Sequence, residues 1–301
     1  MVTNNSVDKS LNQEIACVVL NYNDFPTTSS MINKIKEYSI FKYIIVVDNC
    51  STDNSFFQLT NNFKNYDQVK VIRTKRNGGY GYGNNYGIKF AYNKLGVNYA
   101  VISNPDVNFS NEMVKKLFRL MINKQASVVS GVQKINDKEI NDKAWKVPTA
   151  KQWTLVETKL FHKKMWQKYH YDKSSFDRPY SNVECIPGAM YLVNIKDFLA
   201  VKGFDEEVFL FGEEVILGWK LNKLNKLVLL VNDQYYDHKH SVSINKTFDS
   251  EIEQLKILHN SKMIYYKKYL KLNKLELTLA ACIFQLVILR KKLRMIIKGK
   301  K

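Results

Sequence analysis

The chain has 301 residues, 45% of them hydrophobic and 13% aromatic, and a formal net charge of +18 carried almost wholly by lysine. That composition excludes a disordered polypeptide and leaves room for one large domain or two small ones. The charge suits anionic partners, namely nucleotides, nucleic acid or an anionic membrane surface, and it is also what a lysine- and asparagine-rich compositional bias would leave.

Along the chain, "IACVVLNYN" from Ile15 to Asn23 is a short, β-branched apolar run that ends in polar residues, as a buried parallel strand meeting a loop does. "TTSSMINKIKEYSI" has helical spacing, with Met31, Ile35 and Tyr38 on one face. "YIIVVDNCSTDNS" reads as a second buried strand that breaks at Asp48 into a turn with good helix-capping residues. The helix "SFFQLTNNFKNY", the strand "VKVIRT", a glycine loop and the helix "NYGIKFAYNKLG" follow. A fourth strand, "YAVISNPDVNF", ends near Asp106. From about Asp137 to Asn182 the pattern loosens into an excursion rich in tryptophan, tyrosine and lysine. Strand character returns in "VECIPGAMYLVN", then "GFDEEVFLFGEEVILGWKLNKL" leads into a helix, and "KLVLLVNDQYYDHKHSVS" is a strand ending in a histidine-rich loop. From Ser250 the chain is helical, aromatic and basic.

Strand–helix alternation of this kind implies an α/β fold with a mostly parallel sheet covered by helices on both faces. Ligands bind such sheets beyond the carboxyl ends of the strands. Asn21, Asp48, the glycine loop and Asp106 all fall at those ends.

The glycine stretch does not satisfy GxGxxG and follows the third strand, not the first, which argues against a dinucleotide enzyme. Taken singly, each candidate has two readings. Asp106 caps a turn, or holds Mg²⁺ or Mn²⁺ against phosphate oxygens. Asp48 caps the next helix, or accepts hydrogen bonds from a base or ribose. Glu213 and Glu214 are acids favoured by a helix N-terminus, or a partly desolvated general base. His238 and His240 are solvated loop histidines, or metal ligands. Cys17, Cys50, Cys185 and Cys282 form no CxxC pair, so neither a zinc site nor a disulfide framework is expected and a reducing cytosol fits. The polar N-terminal segment carries no signal-peptide core. The longest apolar run, Leu277 to Leu289, falls short of the roughly 20 residues that span a bilayer.

Taken in order, these segments resemble family 2 glycosyltransferases of the GT-A fold, in particular the bacterial rhamnosyltransferase-like branch that builds surface polysaccharide. The likeness runs from Val18 to about Ser243. "IIVVDNCSTDNS" is similar to the family's nucleotide-binding strand and turn. "NGGYGYGNNYGI" is similar to its N-x-G-(x)3-G-x-N-x-G-I segment at Asn77, Gly79, Gly83, Asn85 and Gly87. "SNPDV", with Asn104 and Asp106, corresponds to its metal-binding DxD-type motif. "PGAMYLV", with Gly188 and Ala189, is similar to its acceptor-side strand. "GFDEEVFLFGEEVIL" is similar to its block carrying the catalytic acid pair.

The resemblance implies a catalytic domain over residues 11–245 and a helical, basic segment over 246–301. It implies inverting sugar transfer from a nucleotide-sugar, dTDP-L-rhamnose first and a UDP-hexose or UDP-galactofuranose second, to a glycan or polyprenyl-diphosphate-linked acceptor. Asp106 would hold a divalent cation, Mn²⁺ or Mg²⁺, with His238 or His240 as a further contact. Asp48 would read the nucleobase, Asn21 and Asn23 would line the same pocket, and Asn77, Gly79 and Asn85 would form its glycine-rich wall. Glu214, beside Glu213, would be the base. The enzyme would be cytoplasmic and peripheral on the inner face of the cell membrane, held by the C-terminal segment, whose other reading is a core helix with a solvated tail.

Two departures stand out. The base is Glu where the family usually has Asp, and Ile216 replaces a further acid, which points to altered acceptor-side support. Arginine is nearly absent around the expected site, leaving phosphate neutralisation to lysine or metal. Two other functions compete: a basic nucleic-acid-binding protein, which lacks any reading motif, and a non-catalytic sugar-nucleotide-binding relative.

Overall fold

Strand β1 (Ile15–Asn21) is apolar on both faces because it lies mid-sheet between β2 (Phe41–Asp48) and β4 (Tyr99–Ser103), parallel to each. The computed structural model describes residues 15–238 and 250–299. β3 (Val69–Arg73) adds outside β2, and the sheet then continues past β4 through β9 (Met190–Asn194), β6 (Val128–Ile135) and β10 (Val228–His238) to β5 (Val107–Asn108). β9 runs antiparallel to both β4 and β6, whereas β6 and β10 are parallel. Short strands β7 (Lys138–Glu139) and β8 (Tyr180–Asn182) pair with β6 and β10.

Alternation along β1 divides the interior. Ile15, Cys17 and Val19 join one core with helices α1 (Phe25–Ile35), α2 (Ser55–Phe63) and α4 (Asn111–Lys124). Ala16 and Val18 join a second core with α3 (Gly79–Leu95), α7 (Ile195–Ala200) and α8 (Glu213–Lys223). A third core joins α5 (Ala150–Leu155) and α6 (His162–Tyr169) of the excursion to α8, α9 (Glu251–Ile264), the π-helical turn Tyr265–Tyr269 and α10 (Lys274–Gly299). Within it Lys262 is buried, donates to the Trp153 carbonyl at 2.8 Å and pairs with Glu157 at 2.7 Å. The C-terminal segment therefore shares apolar packing with the rest of the chain.

The glycine stretch corrects an expectation. It is no loop: α3 starts at Gly79 and takes in the later glycines. Helical glycine costs about 1 kcal/mol relative to alanine, and proximity to the sheet explains its use. A Cβ on Gly87 would lie 2.5 Å from Val18 Cγ1 and 2.8 Å from Val47 Cγ2, so only glycine lets α3 lie this close to β1 and β2. Gly79, at φ +86°, would place a Cβ 2.1 Å from the Phe209 carbonyl oxygen.

Candidate active site

The carboxyl ends of β1, β2 and β4 meet at one sheet edge, and the register pairs Asn21 with Asp48. Asp48 is fully buried. Its carboxylate accepts from Asn21 Nδ2 at 3.0 Å and from the Ser51 backbone N–H at 3.0 Å, and it faces Arg73 Nε at 3.3 Å. Asn21 is buried as well, accepting from Thr28 and donating to Ser51. Asn23 is exposed at φ +51° and ties its own turn to Ser51 and Thr52. Asp48 and Asn21 thus organise the turn over residues 49–53, and the surface they shape is formed by Asn23 and its neighbours.

Arg73 is the arginine that qualifies the expectation of a site nearly without arginine. It ends β3, donates to the Ser51 carbonyl at 2.7 Å and lies over the Phe56 ring. Its position at the carboxyl end of "VKVIR" was the available signal. Asn77 and Asn85 face the protein. Asn77 Oδ1 accepts from Gly79 N and Asn49 Nδ2. Asn85 accepts from Phe204 N at 2.9 Å and donates to the Phe204 carbonyl and to Glu206, so it clamps α3 to the loop that leads to Glu213.

Asn104-Pro105-Asp106-Val107 form a turn closed by Val107 N donating to the Asn104 carbonyl, with proline at its second position. β5 then pairs with the end of β10, setting Val107 opposite His238. That register brings His238 Nε2 to 3.2 Å from Asp106 Oδ1, both side chains being largely buried. An irregularity between Val231 and Tyr235 re-aims β10 before this point. Gln133 Nε2 lies 3.2 Å from His238 Nδ1 and Tyr236 donates to Gln133 Oε1, so Gln133 fixes the imidazole from behind. Gln133 sits far away in sequence on β6, and no local pattern marks it. His240 lies outside the described residues.

Asp106 and His238 are the described residues that could hold a divalent cation. Two ligands at right angles on an ion with bonds of about 2.1 Å lie about 3 Å apart, close to the separation here. Among the described residues no group of three or more His, Cys, Asp or Glu could hold a metal. A cation held by two protein ligands would take the rest of its shell from water or phosphate.

The acid pair begins α8 after Gly212, whose left-handed backbone (φ +85°) turns the chain into the helix. Glu213 is buried and its Oε2 has no hydrogen-bond partner; Glu214 is half-buried. Burial raises both carboxyl pKa values, and the charge of Glu214 pushes Glu213 well above the usual range. Ile216 is fully buried in the third core, where an acid would be desolvated, so its apolar character is a packing feature. Between the two poles stand Tyr80, Tyr191 and Tyr236, which sequence reasoning missed. Tyr80 donates to the Gly188 carbonyl at 2.6 Å, and Asn104 N donates to the Ala189 carbonyl at 3.0 Å. Burial, then the charges of Glu213 and Glu214, hold the Tyr80 phenol protonated far above its ordinary pKa. Hydrogen bonds thus join the Asp106 turn and Tyr80 to Gly188–Ala189, and the charges of Glu213 and Glu214 reach Tyr80.

This architecture is the GT-A fold, and comparison with known proteins gives its family. The sequence model of "Glycosyl transferase family 2" matches residues 16–192, more than half of the chain. The chain belongs to that family. It is 29% identical over 123 residues to the dTDP-rhamnosyl transferase RfbF of Shigella flexneri, covering 40% of this chain and 39% of that one. It is 23% identical over 124 residues to the low-salt glycan biosynthesis hexosyltransferase Agl10 of Haloferax volcanii, covering 41% and 38%. The matched region thus spans about two fifths of the length of each relative. Among solved structures, GalNAc-T7 with UDP, GalNAc and Mn²⁺ superposes with a TM-score of 0.60 at 11% identity, over 75% of this chain and 44% of that one.

Proposed function

We propose that this chain transfers a sugar from a nucleotide-activated donor to a hydroxyl of a glycan or polyprenyl-diphosphate-linked acceptor, with inversion and with a divalent cation. The observation that carries the reading is the set of groups gathered at this end of the sheet: a largely buried Asp–His pair, an acid pair of which Glu213 is buried and Glu214 half-buried, and Tyr80, whose phenol feels the charge of both glutamates.

Asp106 and His238 would hold Mn²⁺ or Mg²⁺, which neutralises the charge developing on the leaving nucleoside diphosphate. Glu213, the more enclosed acid, retains the proton that two adjacent carboxyls share. Glu214 stays ionised and accepts the proton of the acceptor hydroxyl as that oxygen attacks the anomeric carbon. The bond from that carbon to the diphosphate oxygen breaks on the opposite side. A carboxylate with a raised pKa is the stronger base for this step. On the base-binding side, Asp48 and Asn21 hold the turn, and Asn23 and its neighbours meet the nucleobase. Gly79, Asn77 and Asn85 position α3 as the pocket wall, and Asn104 positions Asp106.

Similarity to a protein described as a dTDP-rhamnosyl transferase supports dTDP-L-rhamnose as the first donor to test. Similarity to a hexosyltransferase keeps UDP-hexoses and UDP-galactofuranose next. The acceptor reading places the enzyme at the inner face of the cytoplasmic membrane.

Calorimetric titration of these nucleotide-sugars with and without Mn²⁺ tests the reading. One donor should bind only with metal, and Asp106→Ala should abolish that binding. A folded protein that binds none of them, and is retained on DNA in a salt-dependent way, would overturn it.

A further inference from the structure

Helix α10 is apolar on two opposite faces. Its inner face, with Ala280, Phe284 and Ile288 buried, packs on the body of the protein. Its outer face carries Leu275, Leu279, Leu286, Leu289, Leu293 and Ile296, all exposed, with the exposed Cys282 filling the one gap in the series. Successive spacings of four and three residues keep this stripe within about 100° of arc and extend it along roughly 30 Å. Half of the large hydrophobic side chains exposed among the described residues lie on this one helix. Scattered single exposed leucines are ordinary, but a continuous stripe marks an interaction surface.

We propose that the outer face of α10 docks on an anionic lipid bilayer, lying along the headgroup region. Charge selects this occupant. On an α-helix, Lys274 and Lys292 fall on one flank of the stripe, and Arg290 and Arg294 fall on the other. Long basic side chains flanking an apolar stripe extend toward phosphate while their stems cover apolar surface. Behind them, a groove of about 780 Å³ is lined by Arg290, Lys291 and Arg294 together with Leu255, Val287 and Met295, so it offers cations beside apolar walls. Glu157 and Glu251 also reach this groove, and Glu251 is paired with Lys291 at 2.6 Å. A second copy of the chain paired in parallel is a poorer occupant, because that pairing would oppose Arg290, Lys292 and Arg294 to themselves. No helix of the described residues is long and apolar enough to cross a membrane, so the helix lies along the surface.

The docking helix is also tied to the site. Ala280 of α10 shares the third core with Trp153, and Trp153 would lie 2.9 Å from a Cβ placed on Gly212, next to Glu213 and Glu214. The third core thus joins the docking helix to the start of α8, so a lipid-carried acceptor and the acid pair would meet on one continuous body. This last step rests on the proposed glycosyl transfer, whereas the docking itself does not.

Two measurements test it, the first on the unaltered protein. Labelling of Cys282 by a membrane-impermeant maleimide, read by mass spectrometry, should slow at least tenfold when vesicles of equal phosphatidylcholine and phosphatidylglycerol are added. Phosphatidylcholine vesicles alone should not protect it. In the second, the protein should sediment with the anionic vesicles and be released by salt. Leu279→Asp combined with Leu286→Asp should reduce sedimentation at least tenfold while leaving nucleotide-sugar calorimetry unchanged. Unchanged labelling with anionic vesicles, equal sedimentation of the variant, or a dimer in light scattering that shields Cys282 without lipid would overturn the proposal. Docking by a protein that binds no nucleotide-sugar would leave this surface standing and remove the transferase reading.

Discussion

Two adjacent carboxylates at the start of one helix, Glu213 and Glu214, meet different surroundings, and their chemistry divides accordingly. Glu213 is enclosed with an unpartnered oxygen, while Glu214 is only half-buried. A base that works only when ionised can be tested by an isosteric change. Glu214→Gln should leave donor affinity within about twofold and lower the transfer rate by about 10²–10⁴. Full activity in that variant, measured as sugar transfer or as donor hydrolysis, would remove Glu214 from the role. At this scale the sequence draws the eye to residues whose type itself carries chemistry, as with Asp106 and Glu214, whose proposed roles await these tests. It was least legible where a residue acts through another. Gln133 reaches His238 from a strand 105 positions away, and Tyr80 looked like one more aromatic in a glycine run.

Secondary elements were legible for a related reason. Buried parallel strands announce themselves as β-branched runs, and β1 and β2 fall where those runs do. The exception was α3, whose glycines suppress helix propensity in any window while the neighbouring sheet requires them. This conflict between propensity and packing gives a prediction. Gly87→Ala improves intrinsic helix propensity by about 1 kcal/mol, but its methyl meets two valines whose χ1 angles are stiff within buried strands. Overpacking of this kind costs about 1–3 kcal/mol and displaces the helix. Gly87→Ala should therefore lower the thermal midpoint and weaken donor binding together. The same change at Gly96, where a Cβ meets nothing within 4 Å but φ is +69°, should affect only stability. If Gly87→Ala stabilised the protein, the close approach of helix and sheet would be refuted.

On the scale of the whole molecule, the buried acid pair sets a pH dependence. Glu213 holds its proton to a higher pH folded than unfolded, chiefly through burial and then through the charge of Glu214. Its contribution to stability is therefore complete below the unfolded value of about 4.3 and is lost as pH rises through the raised folded value. Glu213→Gln removes that loss. The variant should gain in thermal midpoint over the parent as pH rises from 5 to 8, reaching roughly 2 °C or more at the alkaline end. A difference that stayed flat across this range would mean that Glu213 ionises normally. The third core was the least legible feature at this scale, because it is assembled from an irregular excursion and a C-terminal segment that each lack a clean period. Their fit to α8 becomes visible only in three dimensions.

The clamp made by Asn85 has a mechanical consequence. Both polar ends of its amide grip Phe204, and a few residues further on Tyr80 N donates to the Phe209 carbonyl at 2.9 Å. Helix α3 and the loop approaching the acid pair are riveted at two points and behave as a single lever. In the proposed transfer, a stroke that brought Glu214 toward a substrate would drag α3 with it. The seam where Gly87 bears on Val18 and Val47 would be the fulcrum of that motion.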